Sequence, residues 1–133
     1  MTTLLAHIRI KPGKEAKWEA IMHDMVTQTF ATEKDVKRYE YWKGQEENLY
    51  YCLLSFADKW AFYDHQMSDH HEGHDFADVL AEIRLEYVDP VAGAGGGLGR
   101  TDDPPLPAGA SEAHNAAQQR FPIAIPNWWS NRA

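Results

Sequence analysis

The chain has almost no cysteine, no long apolar run and fewer basic than acidic residues. Among its 133 residues the only cysteine is Cys52, which excludes an intrachain disulfide. No apolar run approaches the roughly 20 residues that span a bilayer, and the first residues lack the apolar core of a secretory signal. With 13 basic against 20 acidic residues, the formal charge of −7 disfavours nucleic acid and anionic membranes as partners. We therefore expect a cytoplasmic protein.

Patterns of apolar residues predict a ferredoxin-like α+β domain over residues 1–90. The predicted elements are strands at 3–10, 36–43, 49–56 and 83–88, a helix at 14–30, a helix that Asp58 caps and that ends near His65, and a short helix at 74–81. This βαββαβ order is typical of a four-stranded antiparallel sheet with helices on one face. In the first strand, the alternating residues Leu4, Ala6, Ile8 and Ile10 are expected to face the core.

The other face of this sheet has no helix to cover it. We expect Leu5, Trp42, Tyr51 and Leu85 on that face, which is too apolar for a monomer. Burial against a second copy of the chain would remove this surface from water, so the pattern predicts a homodimer.

Residues 91–133 differ in composition from the domain before them. Residues 91–110 are rich in glycine and proline and predict a flexible linker. Ser111 can cap a short helix that ends at Arg120. The following FPIAIPNWW segment is too apolar to remain in water. We expect this long irregular tail to dock on its own domain, on the partner subunit or over a cavity mouth.

Histidine is concentrated between Trp60 and Phe76. This stretch holds His65, His70, His71 and His74, with four acidic residues between them. Imidazole titrates near neutral pH, and its neutral form is a common metal ligand. The stretch is therefore the first candidate for a functional site.

The predicted fold and part of this stretch resemble the antibiotic biosynthesis monooxygenase (ABM) family of the dimeric α/β barrel superfamily. The likeness is carried by Ala61-Phe62-Tyr63-Asp64-His65, then Ser68, His70 and His71, then Phe76. It implies a homodimer whose sheets pack face to face, with a pocket between each sheet and its helices. Several members of the family oxygenate aromatic polyketides or quinols with no metal or flavin, and others degrade haem.

Cofactor-free oxygenation of a small aromatic, phenolic or quinol-type substrate needs a base that titrates near neutral pH. His65, which matches the recurrent histidine of the family, is the leading candidate, followed by His70 and His71. An equally weighted alternative is that His65 only stabilises the C-terminus of its helix. Predicted substrate-binding residues are His7, Tyr39, Tyr41, Trp42, Trp60 and Trp128.

Other hypotheses remain open at this stage. His70 and His74 are four residues apart, so they could bind a divalent metal together with His65. In a haem enzyme, His65 or His70 would be the axial ligand and Trp42 would crowd the porphyrin. A non-catalytic dimer that binds a small molecule is the remaining alternative.

Overall fold

The computed structural model describes residues 1–131, so the last two residues of the predicted tail lie outside the described part. Its strands are β1 (Thr2–Ile10), β2 (Val36–Lys43), β3 (Leu49–Phe56) and β4 (Leu80–Tyr87). Its helices are α1 (Glu15–Thr32), α2 (Lys59–Met67), α3 (Asp69–Glu72), α4 (Phe76–Val79) and α5 (Glu112–Arg120), with a 3-10 helix at Asn127–Asn131. Within residues 1–131, no helix is long and apolar enough to cross a membrane.

The four strands form one sheet in the order β2-β3-β1-β4. Every neighbouring pair is antiparallel, which confirms the predicted ferredoxin-like α+β fold. The predicted inner residues of β1 are buried, with Leu4 and Ile8 each only 1% exposed. Strand alternation therefore sends one face of the sheet into the core, as the sequence pattern predicted.

Helix α1 covers this inner face through one stripe of side chains. Trp18, Ile21, Met22 and Met25 are buried at spacings of three and four residues. The helix ends at Thr32, and the next residue, Glu33, has extended backbone with φ −104° and ψ 140°. This exit from the helix matters for the site, because it places the Glu33 carboxylate beside α2.

The expected composition of the outer sheet face needs one correction. Leu85 is paired with Ala6, so it lies on the inner face with that buried residue. Leu53, which pairs with Leu5, belongs to the outer face instead. A strand turns every side chain to the opposite face when its register moves by one residue, and the expected register of β4 was wrong in this way.

Residues 68–80 also differ from the prediction. Two single-turn helices, α3 and α4, replace the expected helix at 74–81, and β4 begins three residues early, at Leu80. Ser68 interrupts α2 with extended backbone and donates its hydroxyl to the carbonyl of His65, at 2.7 Å. Gly73 ends α3 by donating its N–H to the carbonyl of Asp69, at 2.8 Å. His70 and His71 therefore sit on a turn of helix rather than on an open loop.

The tail packs on its own domain through α5, which contacts α2. Ser111 caps α5 as predicted, because its hydroxyl accepts a hydrogen bond from the N–H of His114. Ahead of α5, Asp103 lies 2.5 Å from the ammonium of Lys59, which is only 2% exposed. The division into a domain at 1–90 and a separate tail at 91–133 stays a prediction.

Candidate active site

A cavity of about 300 Å³ lies between the inner face of the sheet and the helices. Its wall is mostly apolar and aromatic, with few polar groups, as in most small-molecule sites. The lining side chains include Ala6, Ile8, Trp18, Met22, Met25, Tyr39, Tyr41, Cys52, Leu54, His65, Gln66, His71, Glu72, Phe76, Leu80, Ile83, Leu85, Arg120 and Phe121.

His65 is the polar group most firmly held in this wall. It lies in the last turn of α2 and is 1% exposed. Its Nδ1 lies 2.9 Å from Oε2 and 3.2 Å from Oε1 of Glu33. Because a carboxylate only accepts hydrogen bonds, Nδ1 carries the proton, and neutral His65 keeps its lone pair on Nε2. Within residues 1–131, Nε2 has no hydrogen-bond partner.

Aromatic rings fix the orientation of the His65 imidazole. Tyr39 meets it edge to face with ring centroids 4.8 Å apart, and Phe56 lies at 5.2 Å. The position in the last turn of α2 also fits the helix-terminus alternative, since a positive charge is favourable there. The carboxylate partner on Nδ1 and the position in a cavity wall are features that a helix-terminal histidine does not need.

Glu33 also receives a hydrogen bond from His70, whose Nε2 lies 2.6 Å from the same oxygen, Oε2. Burial alone would raise the pKa of Glu33. The hydrogen bonds and charges of His65 and His70 together outweigh burial, so its pKa lies below the ordinary value. Glu33 is therefore the anionic centre of the cluster. His70, a predicted catalytic residue, contacts Glu33 and is not among the described residues that line the cavity.

His71 lines the cavity beside His65, with ring centroids 5.2 Å apart. Burial lowers the pKa of His71 to about 4, and the positive charge of Arg120 acts in the same direction. Its buried Nδ1 has no hydrogen-bond partner within the described chain. His71 is therefore neutral at physiological pH and offers the cavity an unused polar atom.

Tyr39 and Tyr41 line the cavity, and their hydroxyl oxygens lie 2.8 Å apart. Burial raises the pKa of both phenols far above the ordinary value, so both remain protonated. In such a pair one hydroxyl donates to the other, and the accepting hydroxyl keeps an O–H for a further acceptor. The Cys52 sulfur lies near Tyr41 and is one such acceptor. Burial likewise raises the pKa of Cys52 to about 12, so its thiol is not a nucleophile.

The structure does not bring four of the predicted substrate-binding residues to this cavity. His7 points to the outer face of the sheet, where its Nε2 lies 3.0 Å from Glu86. Trp42 is 60% exposed and lines a separate cleft between α1 and β2. Trp60 packs on Tyr63 and on α5, and Trp128 is 76% exposed. The predicted aromatic wall is thereby corrected to Tyr39 and Tyr41, because strand alternation turns Trp42 to the outer face.

The predicted metal ligands His65, His70 and His74 do not converge. His74 lies 3.0 Å from Asp24 on α1, because Gly73 separates it from α3. The third member of the cluster is instead Glu33, and one ligand atom from each of Glu33, His65 and His70 lies within 4.8 Å of the others. The structure therefore replaces His74 with a carboxylate in the candidate ligand set.

Glu33, Gln66, Arg120 and Phe121 are site residues that the sequence did not identify. Glu33 lies at the end of α1, which is 32 residues from His65, and no local spacing connects the two. Arg120 and Phe121 come from the tail, whose docking place the sequence left open. Only three-dimensional packing brings Gln66, Arg120 and Phe121 to the cavity and Glu33 to the imidazole of His65.

The fold and the cavity define an α+β protein of the ferredoxin-like class with a candidate site between sheet and helices. A sequence profile described as antibiotic biosynthesis monooxygenase matches residues 1–75, more than half of the chain. The chain therefore belongs to the antibiotic biosynthesis monooxygenase family. Membership indicates a monooxygenase, which is an oxidoreductase. No curated protein matches the chain.

Solved structures agree on the fold. PA3566 from Pseudomonas aeruginosa is 20% identical over 65% of this chain and 90% of its own, with a TM-score of 0.60. Rv0793 from Mycobacterium tuberculosis is 15% identical over 67% of this chain and 93% of its own, with a TM-score of 0.61. A structure described as an antibiotic biosynthesis monooxygenase is 18% identical over 68% of this chain and 99% of its own, with a TM-score of 0.61. About a third of this chain has no counterpart in these three proteins.

Proposed function

We propose that this protein is a monooxygenase that oxidises a small aromatic, phenolic or quinol-type substrate with dioxygen, without a metal or flavin. The observation that carries the proposal is the pair formed by His65 and Glu33 at the wall of a buried cavity. His65 is the base. Glu33 positions His65 and stabilises the positive charge that the imidazole acquires when it takes a proton.

The first step is removal of an acidic proton from the substrate by Nε2 of His65. The hydrogen bond from Nδ1 to Glu33 holds the tautomer in which Nε2 is an acceptor. An O–H of the pair formed by Tyr39 and Tyr41 would bind the oxygen of the resulting anion. The mostly apolar wall would strengthen these electrostatic interactions once a bound substrate displaces water from the cavity.

The reaction balances without an added reductant when the substrate carries an oxidisable methylene group beside its rings, as an anthrone does. The substrate anion passes electrons to dioxygen, and a carbon–oxygen bond forms. One oxygen atom becomes the carbonyl oxygen of the product, and the other leaves as water with the two hydrogens of the methylene group. The substrate supplies all four electrons, so no flavin is required.

The cavity supports a substrate of modest size. Its volume of about 300 Å³ is at the lower end of the range for small-molecule pockets. The lining rings of Trp18, Tyr39, Tyr41 and Phe76 offer edges and faces for an aromatic ligand. A single ring or a small fused ring system therefore fits the site better than a macrocycle.

The test is oxygen uptake by purified protein after chelation, with metal content measured by mass spectrometry and an absorbance spectrum recorded. Anthrones and quinols are the probe substrates. We expect metal-free, colourless protein to consume oxygen, and we expect His65→Gln to lose at least about 10²-fold in kcat because a general base typically contributes that much. His23→Gln is the matched control, since His23 is exposed on α1.

Loss of activity on chelation, restored by one metal, would reject the metal-free mechanism. Equal activity of His65→Gln and His23→Gln would reject His65 as the base. A haem absorption band would reject both the metal-free mechanism and the role of His65 as the base, because haem would then carry out the oxygen chemistry.

A metal-dependent oxygenase is the second candidate, favoured by one observation. Two imidazoles and one carboxylate, from His65, His70 and Glu33, are the ligand types of non-haem iron oxygenases. Against this candidate, Glu33 Oε2 already accepts hydrogen bonds from both imidazoles, which satisfies the three groups without an ion. Stoichiometric iron in the purified protein would favour this second candidate.

Haem has less support. His65 Nδ1 and His70 Nε2 are both engaged by Glu33, and Trp42, the expected crowding residue, lies outside the cavity. A cavity of about 300 Å³ is also small for a porphyrin.

We also propose that the protein is a homodimer whose outer sheet faces pack together. Leu5, Tyr51 and Leu53 stand on that face, and Trp42 extends it with a side chain that is 60% exposed. An apolar surface of this kind is typical of an interface. Light scattering on the purified protein measures the mass, and a monomer at micromolar concentration would reject the proposal.

A further inference from the structure

The tail contributes a closing wall to the cavity through Phe121. Its backbone carbonyl accepts hydrogen bonds from the hydroxyl groups of Tyr63, at 3.2 Å, and Tyr87, at 3.1 Å. Its ring packs edge to face on Phe62, with centroids 5.8 Å apart. Two hydrogen bonds and one ring contact therefore hold this part of the tail against the domain.

Helix α5 is held against α2 just before Phe121. His114 places Nε2 2.7 Å from a carboxylate oxygen of Asp64, and its ring meets Trp60 edge to face at 6.2 Å. Ala117, one turn later, is 5% exposed and packs in the interface. These contacts set the position of the last residue of α5, Arg120, at the edge of the cavity.

Arg120 stands at the mouth of the cavity. Gln66, Glu72, Arg120 and Phe121 line both the cavity and an adjoining cleft of about 290 Å³ between α2 and α5, so they mark the opening that joins the two. The guanidinium of Arg120 lies 5.0 Å from the centre of the Phe121 ring, which orients it.

Arg120 is exposed and has no acidic partner among the residues that the structure describes. Within residues 1–131, no carboxylate forms an ion pair with it, although Glu72 lies on the same rim. Among the cavity-lining residues that the structure describes, it is the one permanent cation. Next to it, the Gln66 amide is 8% exposed without a hydrogen-bond partner in the described chain, and His71 has its unused Nδ1.

We propose that Arg120 binds an anionic group of the substrate, so that the natural ligand is an aromatic molecule carrying a carboxylate or a similarly acidic group. The inference rests on the proposed function for the use of the cavity and adds the charge of the ligand. A planar guanidinium pairs with a carboxylate through two parallel hydrogen bonds. Gln66 and His71 supply further polar atoms at the same opening, while the ring of the ligand occupies the apolar interior.

The test compares two probes that differ in charge but hardly in shape, 2-naphthoate and 2-naphthamide. Their binding to the full chain is measured by isothermal titration calorimetry, without turnover. We expect naphthoate to bind roughly tenfold more tightly than naphthamide, because hydrogen bonds between charged groups exceed neutral ones by about that factor. Arg120→Gln should remove this preference and leave the affinity for naphthamide unchanged.

Two further variants give the controls. Glu72→Gln should strengthen naphthoate binding several-fold, because a like charge leaves the rim. Arg100→Gln makes the same change in net charge as Arg120→Gln but away from the cavity, so it should leave both affinities unchanged.

Equal binding of both probes to the wild-type protein would overturn the proposal for Arg120. The same result would still support the cavity as a site for aromatic molecules. A naphthoate preference that survives in Arg120→Gln would also overturn it. Binding of neither probe would count against this inference and against the proposed substrate class together.

Discussion

Lowering the pH should destabilise this protein through His71. Burial lowers the pKa of His71 to about 4 in the folded protein, from an ordinary value of 6.5. The unfolded chain therefore binds the proton more readily than the folded protein does. The contribution of His71 to stability is intact above pH 6.5 and is lost as the pH falls towards about 4.

The expected magnitude follows from these two pKa values. Between about pH 7.5 and about pH 5, a group with this shift should lower the free energy of unfolding by about 2 kcal/mol. Glu33, whose pKa is also lowered, adds little in this range because its stabilising effect is lost only below the ordinary carboxyl pKa of 4.5. The range therefore isolates the imidazole from the carboxylate beside it.

The assay is urea unfolding at a series of pH values, followed by the fluorescence of buried tryptophan. His71→Gln removes the titrating group. Between about pH 7.5 and about pH 5, the free energy of unfolding of this variant should fall by about 2 kcal/mol less than that of the wild-type protein. His23→Gln, on the exposed face of α1, should follow the wild-type protein. The same fall in His71→Gln as in the wild-type protein would refute the assignment of a buried neutral imidazole.

Three other substitutions test separate parts of the structure. Glu33→Gln replaces the carboxylate beside Nδ1 of His65 with a neutral amide, so kcat should fall by about 10²-fold or more. The circular dichroism spectrum should stay unchanged. An unaltered kcat would contradict the proposed role of Glu33. Asp103→Asn leaves the buried ammonium of Lys59 without its charged partner and should lower the free energy of unfolding in urea by about 1–3 kcal/mol. Adding Lys59→Met to this variant should largely restore the lost stability. An unchanged free energy of unfolding would show that this contact does not fix the tail. Trp42→Glu places a charge on the outer sheet face and should convert the proposed dimer to a monomer in light scattering. A dimer that survives this change would contradict the proposed interface.

The fold was predictable because it depends on local periodicity. The alternation in β1 and the stripe from Trp18 to Met25 identify the buried faces, and Asp58 marks the start of α2 with a hydrogen bond to the N–H of Ala61. The order of the elements then restricts the topology. The assignment of Leu85 was wrong because strand faces depend on a register that one residue can reverse.

The site was predictable only where it lies on a recognisable segment. His65 and His71, which the histidine-rich stretch and the family resemblance identify as candidates, both line the cavity. Glu33 and Arg120 come from distant segments, and their positions depend on where α1 ends and where the tail docks. The density of histidine was a weaker guide than position, since His74 belongs to a surface pair with Asp24.

The central claim is that His65 drives oxygenation without a metal, and oxygen uptake by chelator-treated protein tests it most directly. With an anthrone as substrate, the account predicts one molecule of dioxygen consumed per quinone formed, at a rate that His65→Gln lowers by at least about 10²-fold and His23→Gln does not change. Uptake that requires added iron, or that His65→Gln leaves intact, would contradict it.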